Sequence, residues 1–222
     1  MRPVRPGLFA NRVDAGRRLA KRLEALRLDS PVVLGLPRGG IPVAAEVASV
    51  LGGHLEVFVA RKVGAPGHEE LGIGAVAEGL DEAIMSDAAA GLGPRAEDVT
   101  AMIERSRREM HRQVALYRGD RPLPELAGRN VVVVDDGLAT GVTAEAALVA
   151  LRRRHPDRLV LAVPVCARDA AARLTTLAQD VVCVQSPADF LAVGFWYEDF
   201  SPTTDQEVID ALAKATGESP AV

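Results

Sequence analysis

The sequence predicts an α/β fold in three layers: a twisted, mostly parallel sheet with helices on both faces. A small aromatic segment near the C-terminus, residues 187–202, is called the hood below. Apolar runs at 32–36, 131–134 and 158–166 lack the polar alternation of half-exposed strands, which indicates strands buried on both faces. Segments of helical periodicity lie between them, and such alternation implies right-handed crossovers into a parallel sheet. The 222 residues fit a single domain.

The chain begins with a helix, a strand and a second helix. Residues 12–27 place apolar side chains on one helical face and arginines on the other, which predicts a helix that covers the sheet and leaves its basic face solvated. The strand at 32–36 ends in a Pro-Arg-Gly-Gly turn. The next helix has Pro42 in its first turn and ends at the Gly52-Gly53 pair.

The middle of the chain is less regular. A strand is predicted at 55–60, and the glycine-rich residues 63–80 predict a flexible loop or an irregular hairpin. A long amphipathic helix at 95–118 carries many arginines and is expected to pack either on the sheet or on another subunit, the latter in a homodimer. A proline-rich linker at 121–124 follows.

The C-terminal half continues the alternation and completes a core of about 12–186. After the strand at 131–134 a helix begins near residue 144. A strand is predicted at 158–166, a helix at 168–178 and a strand at 180–185. The hood at 187–202 follows, and then a final helix at 203–216 that is capped by Thr203 or Thr204.

Composition narrows the class of protein. The chain has 26 Lys and Arg against 30 Asp and Glu, a net charge of −4, so its composition demands neither a nucleic-acid nor a membrane partner. No apolar run approaches membrane-spanning length. Cys166 and Cys183 lie in apolar runs, and we expect buried thiols in a reducing compartment and no disulfide. These features predict a cytoplasmic protein.

The most informative stretch is 131–143, with the sequence VVVVDDGLATGVT. Asp135 and Asp136 stand where the strand would emerge, and small and hydroxyl residues then lead into a helix. Backbone N–H groups at a helix start bind a phosphate dianion, and glycine allows close approach. Adjacent carboxylates suit the hydroxyl pair of a ribose, which donates hydrogen bonds. A capped turn alone would explain neither the acidic pair nor the two threonines, so the stretch predicts a ribose 5-phosphate pocket.

This stretch resembles the 5-phosphoribosyl-1-diphosphate (PRPP) binding motif of the type I phosphoribosyltransferases, in the DDxLATGxT form of the adenine enzymes. The resemblance implies that Asp135 and Asp136 hold the ribose as catalytic residues. It implies that the 5-phosphate is bound by Ala139, Thr140, Gly141, Val142 and Thr143. Two positions depart from the family pattern: Gly137 replaces an aliphatic residue, and Ala139 replaces the Asp of the hypoxanthine-guanine branch.

Two further segments resemble the family's pyrophosphate-binding elements. The turn after the first strand offers backbone amides and a guanidinium through Pro37, Arg38 and Gly39. Arg61 and Lys62 follow the second predicted strand, where the family has a basic residue, so Arg61 is also a catalytic candidate. An ordinary βα turn and a solvated basic pair are the structural alternatives for these two segments.

Five of the eight aromatic residues lie between 190 and 200. This run resembles the hood that holds the base in purine-type phosphoribosyltransferases. The candidates for base binding are Phe195, Trp196 and Tyr197, which could stack on a planar ring, and Asp199, or Glu198, which could accept from its N–H groups. Phe190 and Phe200 are expected to pack in the core.

The resemblance implies transfer of the phosphoribosyl group of PRPP to a base-like acceptor with release of pyrophosphate, a pentosyltransferase reaction of nucleotide metabolism. It implies Mg²⁺ carried with PRPP, with no metal bound directly by the protein. A flexible loop at about 63–80 would close over the substrate and exclude water. Two alternatives stay open: a regulator that senses PRPP or a nucleotide, and a hydrolase that acts on a ribose phosphate.

Overall fold

The computed structural model describes residues 8–65, 68–86 and 96–217. Its strands are β1 Val32–Gly35, β2 His54–Val57, β3 Ala60–Ala65, β4 His68–Ala77, β5 Ile84–Met85, β6 Asn130–Val134, β7 Arg158–Val165 and β8 Asp180–Gln185. Its helices are α1 Arg12–Leu23, α2 Gly40–Leu51, α3 Ala96–Arg118, α4 Val142–Arg152, α5 Arg168–Leu174 and α6 Asp205–Thr216. Short 3₁₀ turns lie at Glu24–Leu26 and Val193–Trp196.

Five strands form a parallel sheet in the order β2-β1-β6-β7-β8, which confirms the predicted parallel sheet. The four valines 131–134 of β6 are fully buried, because helices cover the sheet on both sides. One face packs against α1, α2 and α6, and the other packs against α4 and α5. The α/β fold with helices on both faces is therefore confirmed.

The predicted strand at 55–60 is two strands in the structure. β2 ends at Val57 and remains in the parallel sheet, whereas β3 begins at Ala60 and leaves it. β3 pairs with β4 in an antiparallel hairpin with irregular register near Gly64, and β5 adds a third strand. One face of the hairpin packs on α4 and the other carries α3. Residues 66 and 67 lie outside the described residues.

Helix ends follow local capping more closely than periodicity. α1 begins after Asn11, whose side chain accepts from the Asp14 N–H at 3.0 Å, and its last predicted turn is a 3₁₀ turn. α5 ends at Leu174, four residues before the prediction. Thr204, and not Thr203, caps α6 in a capping box with Glu207. The predicted frayed end, 218–222, lies outside the described residues.

The expectation of free thiols was wrong. Cys166 and Cys183 form a disulfide with Cα atoms 6.3 Å apart. Cys166 directly follows β7 and Cys183 lies in β8, and these two strands are paired neighbours in the sheet. The apolar pattern of each strand was recognised, but the sequence does not show which strands lie side by side. In the three described segments, no helix is both long and apolar enough to cross a membrane.

Candidate active site

Two loops emerge where the order of the strands reverses. β1 lies between β2 and β6, and Gly35 is in register with Val134. The Leu36 N–H donates to the Val134 carbonyl at 2.8 Å, so the loops after β1 and β6 leave the sheet side by side. A Cβ on Gly40 would lie 2.6 Å from the Val134 carbonyl oxygen, which explains a glycine there. Ligands of open parallel α/β sheets bind at this kind of switch point.

Asp135 and Asp136, the two aspartates after β6, lie in different environments. Asp135 lines an open cleft beside Thr143 of α4. Asp136 accepts hydrogen bonds from Arg12 of α1, with Nε and Nη2 both 2.8 Å from Oδ2. The backbone N–H of Asp136 donates to Oδ1 of Asp135 at 2.8 Å. Arg12 was missed by the sequence reasoning, since the arginines of α1 were expected to be solvated.

Both carboxyl groups have raised pKa values. Burial is the main cause of the raised pKa of Asp135, and the neighbouring negative charge of Asp136 adds to it. Burial also raises the pKa of Asp136, although the Arg12 guanidinium acts in the opposite direction. Such a pair is expected to bind groups that compensate its charge, either hydrogen-bond donors or a cation.

The predicted phosphate loop leads directly into α4. Gly141 has a φ of +79°, a conformation that glycine adopts without strain, and it caps the helix with no side-chain hydrogen bond to the first turn. Ala139 and Thr140 are exposed, and the Thr140 carbonyl accepts from Arg173 at 2.7 Å. The start of α4 therefore has the exposed small residues and uncapped amides that an anion requires.

A cleft of about 820 Å³ lies against these loops. Its walls are Pro37, Asp135 and Thr143 at the sheet edge, and Ala60, Arg61, Lys62 and Gly64 of β3. The cleft thus brings together residues predicted for the ribose, the 5-phosphate and the pyrophosphate. The volume lies within the range of about 300–1,000 Å³ that is usual for small-molecule sites.

Helix α3 forms the remaining wall, which the sequence reasoning did not predict. It contributes Met102, Arg105, Ser106, Arg108, Glu109 and Arg112. The three arginines are spaced i, i+3 and i+7, so they share one helical face. This spacing can be seen in the sequence, but it indicates a binding site only when the hairpin is known to place α3 over the edge of the sheet.

Two of the predicted pyrophosphate residues, Arg38 and Arg61, are paired with acids in the described structure. Arg38 lies 3.5 Å from Asp205 at the start of α6, and Arg61 lies 3.9 Å from Glu109 of α3. The Pro37–Arg38 peptide bond is cis. A Cβ on Gly39 would lie 2.0 Å from Oδ2 of Asp136, so the turn after β1 passes directly against the acidic pair.

The predicted base-binding residues do not act as one group. Tyr197 is 5% exposed, and its ring centre lies 5.3 Å from that of Phe9 and 5.0 Å from that of Phe200. Its hydroxyl donates to the Asp136 carbonyl at 2.6 Å, and burial raises its pKa. Because the ring is buried against these aromatic residues, the prediction that Tyr197 stacks on a base does not fit the structure. Asp199 is exposed and accepts from Ser201.

Phe195 and Trp196 remain at the surface of the hood. Phe195 is 58% exposed and Trp196 is half-buried, with an indole Nε1 that is buried and has no hydrogen-bond partner in the described structure. Neither residue is among those that line the cleft described above. Their role as base-binding residues therefore stays a prediction.

The departure at Gly137 has a structural explanation. The Cγ atoms of Val193 in the hood lie 2.4 and 2.7 Å from the point that a Cβ on residue 137 would occupy. The Val193 side chain of the hood thus occupies the volume that a side chain at residue 137 would fill. Nothing in the local pattern indicated this replacement.

The sequence matches the family of the phosphoribosyl transferase domain over residues 9–198. This chain therefore belongs to the phosphoribosyl transferase family. The match covers both loops at the switch point, the cleft and the hood up to Glu198.

One relative is named as a member of this family, and two solved structures share the fold. The chain is 44% identical over 208 residues to "Putative phosphoribosyl transferase Rv0571c" of Mycobacterium tuberculosis, an alignment of 94% of this chain and 47% of that protein. The chain therefore spans about half the length of that relative. It is also 44% identical to the crystal structure of TT1426 from Thermus thermophilus, with a TM-score of 0.77 over 93% of this chain and 98% of the other. AQ2163 from Aquifex aeolicus shares the fold at 15% identity, with a TM-score of 0.51 over 90% and 84% of the two chains.

Proposed function

We propose that the protein transfers the 5-phosphoribosyl group of PRPP to a nitrogen of a base-like acceptor and releases pyrophosphate. The observation that carries this proposal is the convergence of Asp135, Thr143 and Arg61 on one cleft at the switch point of the sheet. A carboxylate, a helix start and a guanidinium are the three groups that a phosphorylated ribose with a diphosphate at C1 requires.

The ribose would lie against Asp135 and Asp136. Their carboxylates accept from the 2′- and 3′-hydroxyls, and Arg12 fixes the Asp136 carboxylate in one orientation. The 5-phosphate would lie against the amides of Ala139 to Thr143, where the start of α4 is uncapped. The diphosphate would then extend from C1 toward Arg38, Arg61 and Lys62.

In the reaction, the bond between C1 and the diphosphate oxygen breaks and the diphosphate leaves with the electron pair. A bond from the acceptor nitrogen to C1 forms, and positive charge develops on the ribose ring in the transition state, as in glycoside cleavage. Arg61 and its neighbours stabilise the leaving group because they lie where its negative charge increases. The proton of the acceptor nitrogen passes to solvent, which balances the step. Among the described hood residues, Asp199 is the proposed acceptor of hydrogen bonds from the base.

The acidic pair also fits a divalent cation held together with the substrate. The described residues contain no group of three or more His, Cys, Asp or Glu that could hold a metal. The two carboxylates are half-buried and have raised pKa values, and ribose hydroxyls or a cation bound beside them would compensate their charge. Mg²⁺ bound with PRPP would neutralise charge on the diphosphate and the ribose oxygens.

A screen for pyrophosphate release tests the proposal. PRPP and Mg²⁺ are incubated with purines, pyrimidines and related heterocycles, and both pyrophosphate and the ribosylated product are measured. We expect stoichiometric release with one class of acceptor, and loss of at least about 100-fold in kcat/KM for Asp135→Asn. Asp120→Asn, at an exposed turn, is the matched control. Release with water alone would indicate a hydrolase, and no consumption of PRPP with any acceptor would contradict the proposal.

A further inference from the structure

Helix α3 carries cations that the proposed function does not yet use. Arg105, Arg108 and Arg112 line the same cleft as Arg61 and Lys62. With a rise of 1.5 Å per residue, the row from Arg105 to Arg112 is about 10 Å long. Among the described residues that line the cleft, the acids are Glu109 and Asp135, so this described part of its wall is strongly cationic.

One carboxylate oxygen lies between two of these guanidinium groups. Oε1 of Glu109 is 2.8 Å from Nη2 of Arg112 and 3.9 Å from Nη1 of Arg61. The hydrogen bond from Arg112 and the charges of Arg112 and Arg61 lower the pKa of Glu109, so it is ionised. An anion oxygen is thus already held between a predicted pyrophosphate residue and α3.

Arg112 also connects to the other predicted pyrophosphate residue. Asp205 lies 3.5 Å from Arg112 through Oδ2 and 3.5 Å from Arg38 through Oδ1. Its Oδ1 accepts from the Tyr117 hydroxyl at 2.5 Å, which fixes the carboxylate. Arg112 therefore lies beside both acids that pair with Arg38 and Arg61.

Arg61 has unused hydrogen-bonding capacity. Its Nε is buried and has no hydrogen-bond partner among the described residues, and its contact with Glu109 at 3.9 Å is longer than a hydrogen bond. A buried donor without a partner is costly, and a ligand oxygen at this point would satisfy it.

We propose that Arg112 is a further residue of the diphosphate subsite, and that Glu109 is an internal anion that the diphosphate displaces. The proposal rests on the proposed function, because it extends the same cleft. A diphosphate and the Glu109 carboxylate cannot share two guanidinium groups without strong repulsion, so binding of one excludes the other. Guanidinium pairs with phosphate oxygens at least as well as with a carboxylate, through the same planar fork.

Calorimetric titration with inorganic pyrophosphate and, separately, with ribose 5-phosphate tests this directly. Arg112→Gln should weaken pyrophosphate binding by at least tenfold and leave ribose 5-phosphate binding within twofold. Glu109→Gln should tighten pyrophosphate binding severalfold, because the competing anion is removed. Arg112→Lys should be intermediate, since it keeps the charge and loses the fork.

The chain offers a matched pair of controls. Arg17 and Glu46 form an exposed ion pair at 2.9 Å between two helices and do not line the cleft. Arg17→Gln and Glu46→Gln should change neither affinity. Thermal unfolding of each variant establishes that it is folded, and Glu109→Gln gives an independent readout if Arg112→Gln does not fold.

The outcomes separate this proposal from the proposed function. If the wild-type protein binds both ligands and the pyrophosphate affinity is unchanged in Arg112→Gln and in Glu109→Gln, the role of α3 is wrong. The proposed function is then unaffected. Wild-type protein that binds neither ligand overturns both. Tighter binding in Glu109→Gln together with weaker binding in Arg112→Gln supports the displacement.

Discussion

Arg12 and Asp136, 124 residues apart in the chain, form a nearly buried ion pair in which two guanidinium nitrogens lie 2.8 Å from one carboxylate oxygen. The side chains are 12% and 16% exposed. The same guanidinium lies 4.0 Å from the ring centre of Phe200 and donates to the Ser201 carbonyl at 2.7 Å. One arginine of the first helix thereby joins the acidic motif to the hood.

This pair predicts a large loss of stability when it is broken from one side. Arg12→Gln leaves the Asp136 carboxylate without its cation, and we expect the free energy of unfolding to fall by about 3 kcal/mol. Urea unfolding measures the difference. Arg17→Gln, in an exposed pair, should cost less than about 1 kcal/mol. Equal losses in the two variants would show that the Arg12 pair has no special role.

Asp135 should reduce the stability of the fold at neutral pH. Its folded-state pKa is raised, chiefly by burial and further by Asp136, so the folded state binds its proton more tightly than the unfolded state. Stability therefore falls as the pH rises from the ordinary value of 3.8 through the folded pKa. Asp135→Asn should raise the Tm at pH 7, and the gain should disappear toward pH 4. A Tm difference independent of pH would contradict the raised pKa.

Gly137 and Val193 should be energetically coupled. Gly137→Val places methyl groups where Val193 already lies, and overpacking is expected to cost about 1–3 kcal/mol. Adding Val193→Ala should recover most of that loss, which gives a coupling energy of about 0.5–3 kcal/mol in a double-mutant cycle. The cycle is measured by urea unfolding, and additive losses would mean that the two sites do not compete for space.

Gly39→Ala should impair PRPP binding while the protein stays folded. The new Cβ would lie 2.0 Å from Oδ2 of Asp136, so the carboxylate must move away from Arg12. We expect at least tenfold weaker binding of PRPP, because the ribose ligand is misplaced. Calorimetry measures the affinity, and circular dichroism checks the fold. Wild-type affinity in this variant would show that the position of Asp136 does not matter for PRPP.

The parts of the fold that local patterns determine were predicted correctly. The buried strand at 131–134 and the turn after β1 follow from apolar runs and turn residues, and the parallel sheet follows from the alternation of strands and helices. α4 begins at Val142, two residues before the prediction. Helix ends were less accurate, because a single cap such as Asn11 or Thr204 fixes them.

What the sequence could not show depends on contacts between distant segments. Arg12 looks like any other arginine on a solvated helix face until α1 packs beside the motif. Cys166 and Cys183 form a disulfide only because β7 and β8 are neighbours. Tyr197 appeared to be a stacking residue because of its aromatic neighbours, but two of the aromatic rings that surround it belong to the core, and one of them, Phe9, lies near the start of the chain.

The most direct test of the account is calorimetric titration of PRPP with Mg²⁺ into the wild-type protein and into Asp135→Asn. We expect the wild type to bind one PRPP per chain and the variant, folded and at least as stable at pH 7, to bind at least tenfold more weakly, because the ribose loses a carboxylate ligand. Equal affinity in both proteins, or no binding by the wild type, would contradict the assignment of this cleft to PRPP.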